Sequence, residues 1–123
     1  MYNTRLEKKV SEFLGGYKCP VAIKGYGLLL GCLLQVYLHP WSLESIYKDV
    51  YQEIAMKSGV DEKNVERSIR VLINNWWADL EKFGLFKCKP SNKQLLTILY
   101  EEFVKQELAR DSDYESVLDL VFG

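Results

Sequence analysis

Hydrophobic residues between positions 61 and 78 recur at the spacing of an α-helix with one apolar side. The repeating residues are Val65, Ile69, Leu72, Ile73 and Trp76. At about 100° per residue, the polar side chains of Lys63, Arg67, Arg70 and Asn74 fall on the opposite side, with Glu66 at its edge. The run therefore predicts a helix with a core face and a polar face suited to reading base edges.

A second amphipathic segment lies just upstream, over residues 43–58. Its apolar positions follow the i, i+3, i+4, i+7 spacing and are Leu43, Ile46, Tyr47, Val50, Tyr51 and Ile54. Ser42 is the expected N-cap of this second helix, because a serine hydroxyl accepts a hydrogen bond from a backbone N–H of the first turn.

The residues between these two predicted helices have the features of a helix-turn-helix. Ala55 is a small residue where the helices cross, and Gly59 suits the positive φ of a tight turn. Val60 and Val65 supply apolar contacts that hold the helices together, and Asp61 is the expected N-cap of the later helix. An ordinary helical hairpin with a solvated outer face remains the alternative from this pattern alone.

Four sequence blocks together resemble a known family. They are VAIKGY at 21–26, SIYKDVYQEIAMK at 45–57, VERSIR at 65–70 and KPSN at 89–92. In this order, over roughly residues 10–108, the chain resembles the C-terminal DNA-binding effector domain of the master response regulator of endospore formation in Firmicutes. The resemblance implies an all-α domain of about six helices, with a helix-turn-helix of the winged-helix-like response-regulator effector class. It also implies tandem binding to a short promoter box with a CG-containing core.

The resemblance assigns base-reading roles within the later helix, at Glu66, Arg67 and Arg70. These residue types suit a CG-containing site, because arginine donates two hydrogen bonds to guanine O6 and N7, and glutamate accepts one from cytosine N4. Asn64 and Val71 depart from the family pattern, which usually has an arginine and a histidine at these positions. The departure predicts a lower affinity or a different recognised sequence.

Lysines cluster after this helix, at Lys82, Lys87, Lys89 and Lys93. Ser91 is the expected cap of the next helix, and a helix N-terminus flanked by lysines suits a phosphate. In the resembled family this region faces the DNA backbone, whereas a solvated loop with ordinary capping is the alternative. We expect backbone contacts from Lys63, Asn64, Asn74, Lys89, Ser91 and Lys93.

Three further segments complete the predicted all-α class. Residues 3–14 predict a short helix ended by Gly15 and Gly16, and residues 26–38 predict a central buried helix ended by Pro40. Residues 92–109 predict a late helix whose inward residues are Leu95, Leu99 and Phe103. The apolar stretch at 26–38 is much shorter than the roughly 20 residues of a membrane span. No strand-like alternation occurs.

The charge balance opposes DNA binding at first sight. The chain has a net charge of −1 and a pI near 5.9, whereas domains that contact many phosphates are usually basic. However, residues 1–100 contain 14 Lys/Arg and 10 Asp/Glu, whereas residues 101–123 contain 2 and 7. The acidic charge is therefore concentrated at the C-terminus.

The resemblance implies a DNA-binding domain at 1–109, with its helix-turn-helix at about 43–78, and we expect residues 110–123, beyond most of the resembling region, to be an acidic amphipathic extension. Ser112 is the expected cap of a short helix in the extension, and Tyr114, Val117, Leu118, Val121 and Phe122 form its apolar face. Three roles remain open for the extension: an added helix on its own domain, a dimer contact, or an acidic flap over the basic surface.

The sequence gives little support to an enzyme. His39 is the single histidine, so no catalytic triad or multi-histidine metal site is expected, and we expect no cofactor. Cys19, Cys32 and Cys88 are dispersed and odd in number, which favours reduced, buried thiols in the cytosol. The N-terminus has no signal or transit pattern, so a cytoplasmic location without membrane contact is expected.

The sequence is compatible with two functions. The first is a sequence-specific transcription regulator that binds double-stranded DNA, with a possible homodimer or tandem dimer on the DNA. The second is a protein-interaction module of the same fold with weakened DNA binding, which modulates a full-length sporulation regulator through a mixed dimer. The chain has no room for the receiver of a complete regulator, and its Met1 start and its tail favour a free-standing effector-like protein over an excised domain.

Overall fold

The computed structural model describes residues 4–110, which form five α-helices joined by turns and short helical segments. The α-helices are α1 (Thr4–Gly16), α2 (Gly25–Leu38), α3 (Gln52–Ser58), α4 (Glu62–Leu80) and α5 (Asn92–Arg110). A 3-10 helix (Pro40–Ser45) and a π-helix (Ile46–Tyr51) connect α2 to α3, and a 3-10 turn (Glu81–Phe83) follows α4. No strand occurs within these residues, and the expected all-α class is confirmed.

The end of α1 differs slightly from the prediction. Gly15 and Gly16 both belong to the helix, and Lys18 takes the left-handed conformation beyond it, with φ 58°. The Cys19 N–H donates to the Leu14 carbonyl at 3.1 Å, and the Lys18 N–H donates to the Gly15 carbonyl at 3.0 Å. This pair of hydrogen bonds is a Schellman cap, which satisfies carbonyls that the helix end would otherwise leave open.

Helix α2 is the central buried helix, as predicted. Its core residues are Leu29, Cys32, Leu33, Leu34 and Val36. The helix begins at Gly25, which is buried against α4, and a Cβ at this position would fall on the Ser68 carbonyl oxygen. Glycine therefore allows the backbones of α2 and α4 to approach more closely than any other residue would.

The segment predicted as one helix over 43–58 is helical but irregular. Ser42 is not an N-cap: it is fully buried, and its hydroxyl donates to the His39 carbonyl at 2.6 Å. Tyr47, which was predicted to face the core, is 39% exposed. The π-helix explains this difference, because i to i+5 hydrogen bonding changes the angular spacing of side chains. The buried Gln35 amide of α2 also donates to the Asp49 carbonyl within the π-helix, at 3.3 Å.

An aromatic cluster lies where α1, α2 and α5 meet the turn after α4. It consists of Phe13, Tyr17, Tyr37, Phe83 and Phe103. Neighbouring rings meet edge to face, with centroids 5.0–5.3 Å apart. This geometry places the positive edge of one ring on the negative face of the next.

Helix α5 begins at Asn92 and buries Leu95, Leu99 and Phe103, as predicted. Residues 111–123 lie outside the described residues, and with them the expected cap Ser112 and the apolar face of the extension. Among the helices that are described, none is long and apolar enough to span a membrane.

The three cysteines differ in exposure. Cys19 and Cys32 are buried, as expected, but Cys88 is exposed, so the expectation of three buried thiols is wrong for that residue. Burial raises the pKa of the Cys19 thiol to about 12 and also raises the pKa of the Cys32 thiol. Both buried thiols therefore remain protonated and unreactive at neutral pH.

Candidate nucleic-acid interface

The turn between α3 and α4 has the geometry that the sequence predicts. Gly59 ends α3 in the left-handed region, with φ 71° and ψ 22°, and the Val60 N–H donates to the Ala55 carbonyl at 3.1 Å. Asp61 caps α4, because its Oδ1 accepts a hydrogen bond from the Asn64 N–H at 2.8 Å. The predicted helix-turn-helix geometry is therefore present.

The inner face of α4 fixes which side chains point outward. Val65, Ile69, Leu72, Ile73 and Trp76 are all buried, as their spacing predicts. The Trp76 indole N–H also donates to the Tyr17 carbonyl at 2.8 Å, and this hydrogen bond ties α4 to the chain beyond α1. Rotation of α4 would break these contacts, so its polar face is held outward.

The outer face of α4 presents both free and paired cations. Lys63 and Arg67 are exposed and form no side-chain hydrogen bond or ion pair with any other residue of the described range. Arg70 is also exposed, and its Nη2 lies 2.7 Å from Oε1 of Glu66. An exposed pair at i, i+4 contributes only about 0.3–0.5 kcal/mol, so both partners can exchange it for other hydrogen bonds at little cost.

An open groove of about 670 Å³ runs beside this face. It brings together six of the nine predicted site residues, namely Glu66, Arg70, Asn74, Lys89, Ser91 and Lys93. The other three, Lys63, Asn64 and Arg67, do not line it. Lys63 and Arg67 are instead four residues apart on the solvent-facing side of α4.

Hydrogen bonds join the far wall of the groove to α4. Lys89 Nζ donates to Asn74 Oδ1 at 2.8 Å, and Asn92 Nδ2 donates to the Glu66 carbonyl at 2.9 Å. Ser91 caps α5 as predicted: its hydroxyl accepts from the Gln94 N–H at 3.2 Å, while its own N–H donates to the Gln94 side chain at 2.9 Å. This reciprocal capping box fixes the start of α5, and the hydrogen bonds from Lys89 and Asn92 hold the lysine-bearing segment against α4.

Five residues that line the groove were not predicted from the sequence, namely Ile46, Tyr47, Tyr51, Pro90 and Asn92, and three of them have side chains that can form hydrogen bonds. Tyr47 and Tyr51 line it from the π-helix, and Asn92 lies at its edge with Tyr51 as a hydrogen-bond partner. Burial raises the pKa of the Tyr51 hydroxyl to about 12, and its hydrogen bond with Asn92 opposes this shift. Desolvation, followed by the carboxylates of Glu62, Glu66 and Asp61, raises the pKa of Tyr47. Both hydroxyls are therefore neutral at physiological pH.

A sequence signal existed for Asn92 alone. Its place directly after Ser91, at a predicted helix start, marked it as a polar residue near the lysines. The two tyrosines fitted an apolar stripe and gave no such signal. No cluster of three or more His, Cys, Asp or Glu side chains that could hold a metal ion occurs within residues 4–110.

Comparison with known proteins gives one informative result. No curated protein matches the chain. A family model described as "Sporulation initiation factor Spo0A C terminal" matches residues 10–103, which include α2, α3, α4 and the groove. That family is a DNA-binding regulatory domain, and the match covers well over half of the 123 residues. The chain therefore belongs to the sporulation initiation factor Spo0A C-terminal domain family.

Proposed function

We propose that this protein is a sequence-specific transcription regulator that reads a short CG-containing box in double-stranded DNA. The observation that carries the proposal is the outer face of α4, where Arg67 is exposed and unpaired within the described chain and Arg70 follows one turn later. In a major groove, these two arginines donate to guanine, and Glu66 accepts from cytosine.

The walls of the groove supply the contacts to phosphates in this proposal. Lys89 and Lys93 lie next to the capped start of α5, and Ser91 adds a hydroxyl to the same site. Lys63, Asn64 and Asn74 contribute from α4 itself. These residues set the position of α4 on the duplex and carry no sequence information.

We also propose how the chain is divided and how it assembles. Residues 1–109 form the DNA-binding domain, and residues 110–123 form an acidic extension to it. The regulator binds its box as a homodimer or as two copies in tandem.

A second candidate function is supported by the internal pairing of the site. Glu66 and Arg70 satisfy each other, and Lys89 is engaged by Asn74. Together with the net charge of −1, these pairs suit a module with weakened DNA binding that modulates a full-length sporulation regulator by mixed dimerisation. Retention of Glu66, Arg67 and Arg70 together favours the first function.

Fluorescence anisotropy distinguishes the two functions. The protein is titrated with a labelled duplex that contains the CG box and with a scrambled duplex of the same composition, each across a salt series. A regulator is expected to prefer the box by about 10³-fold or more. Weak, equal and steeply salt-dependent binding would contradict sequence-specific recognition. If neither duplex binds, co-purification with a full-length regulator tests the second function.

A further inference from the structure

Val71 is an unusual residue for the position it occupies on α4. It is 46% exposed, whereas the other large aliphatic residues of this helix, Val65, Ile69, Leu72, Ile73 and Leu80, are buried. A β-branched residue on an exposed helix surface also loses rotamer freedom without any packing in return. Neither the core nor helix propensity explains a valine there.

The helical position of Val71 places it beside Arg67, on the side of α4 away from Glu66. It follows Arg67 by four residues, so its side chain lies about 40° around the helix and about 6 Å along it from that arginine. It directly follows Arg70 and precedes Asn74 by three residues. A helix that presents Arg67 to the major groove therefore presents Val71 to it as well.

The side-chain amide of the neighbouring Asn75 is engaged by the backbone. The Asn75 amide donates to the Val71 carbonyl at 2.8 Å, which directs this amide to the backbone of its own helix. With Val71 46% exposed, its isopropyl group offers an apolar contact surface between polar residues.

We propose that Val71 is a specificity-determining residue that contacts the 5-methyl group of a thymine flanking the CG core, an inference that rests on the proposed function. An isopropyl group makes no hydrogen bonds, and the thymine methyl is the apolar feature of the major-groove base edges. A guanine or adenine at the same place would lose water from its O6, N7 or N6 without gaining a hydrogen bond. Val71 thus selects thymine both by attraction and by exclusion.

Replacement of thymine by deoxyuridine tests this contact, because it removes the methyl group and leaves the hydrogen-bonding groups unchanged. Each thymine within two base pairs of the CG core is replaced in turn, and binding is measured by fluorescence anisotropy. The wild type is expected to bind one of these duplexes about fourfold more weakly, the effect of one buried methyl group. Val71→Ala is expected to bind the thymine and deoxyuridine duplexes equally.

Leu108→Ala serves as the control, because Leu108 is 56% exposed near the opposite end of α5 from the groove. It is expected to keep the wild-type preference for thymine. If the wild type prefers the box but binds every deoxyuridine duplex as well as the thymine duplex, the role of Val71 is refuted and the proposed function stands. An undiminished thymine preference in Val71→Ala also refutes it. If the wild type binds the box no better than the scrambled duplex, both proposals are refuted.

Discussion

The two ends of α5 lie in contrasting parts of the molecule. At its start, polar side chains from α4 and residues 89–93 meet around an open groove and are joined by hydrogen bonds. Further along, the aromatic cluster packs ring edges against ring faces around Phe103. The first region contains exposed pairs of polar side chains that contribute little to stability and can break when a ligand binds. The second region buries apolar surface, which stabilises the fold. Recognition and stability are therefore expected to respond to different substitutions.

The largest expected effect belongs to the aromatic cluster. Phe103 is 4% exposed and contacts Phe13 and Tyr37, so Phe103→Ala leaves a cavity between three helices. The free energy of unfolding is expected to fall by about 3–5 kcal/mol, measured by urea denaturation. The ratio of box to scrambled binding should stay the same for the folded fraction. A decrease in the free energy of unfolding below about 1 kcal/mol, or a changed ratio of box to scrambled binding, would contradict the contrast between the two regions.

Gly25→Ala is expected to affect both properties at once, because Gly25 lies where α2 supports α4. The added Cβ meets the Ser68 carbonyl, next to Arg67, so the helices must separate. We expect destabilisation of about 1–3 kcal/mol, measured by urea denaturation, together with a reduced preference for the box.

Gly27→Ala is the matched control for this substitution. Nothing lies within 4 Å of a Cβ at Gly27, which is exposed on the same helix. This variant should be more stable than the wild type by about 0.5–1 kcal/mol, because alanine favours a helix over glycine. Equal effects of the two substitutions would show that the contact at Ser68 does not matter.

The cap of α4 links local structure to the recognition face. Asp61→Ala removes the acceptor for the Asn64 N–H and is expected to cost about 1 kcal/mol of stability. Hydrogen exchange of the Asn64 amide should become faster, whereas exchange of buried amides near Trp76 should change only as much as global stability does. Asp61→Asn retains an acceptor oxygen and should recover most of the loss. An unchanged Asn64 exchange rate in Asp61→Ala would argue against the cap.

The smallest expected effect concerns a single phosphate contact. Lys89→Ala should weaken binding to box and scrambled duplexes alike and reduce the slope of log K against log salt by about 1. Lys105→Ala, which removes a lysine paired with Glu102 at 3.2 Å on the later part of α5, should leave the slope unchanged. A changed ratio of box to scrambled binding in Lys89→Ala would instead assign this lysine to base reading.

Periodicity alone predicted the regular helices well. The apolar stripe predicted the C-terminal end of α4 to within two residues. Gly59 predicted the turn before α4, and Asp61 predicted its N-cap. These features depend on residues close together in sequence, so a local pattern contains the information that determines them.

Contacts between distant residues were beyond the reach of such patterns. The π-helix that contains Tyr47 accepts a hydrogen bond from Gln35 of another helix, a contact that no local pattern shows. The hydrogen bond from Asn92 to the Glu66 carbonyl joins residues 26 positions apart. The groove, which Tyr51 lines, is formed by the packing of separate helices, so it could not be predicted from local sequence patterns.

The most direct test of the central claim is the preference for the box measured for the wild type and for Arg67→Ala. Binding of both proteins to the CG box and to the scrambled duplex is measured by anisotropy at one salt concentration. If Arg67 reads a base, its loss lowers the box preference by about 1–3 kcal/mol and relaxes specificity at a single base pair. Equal box preference of the two proteins would contradict direct readout by α4.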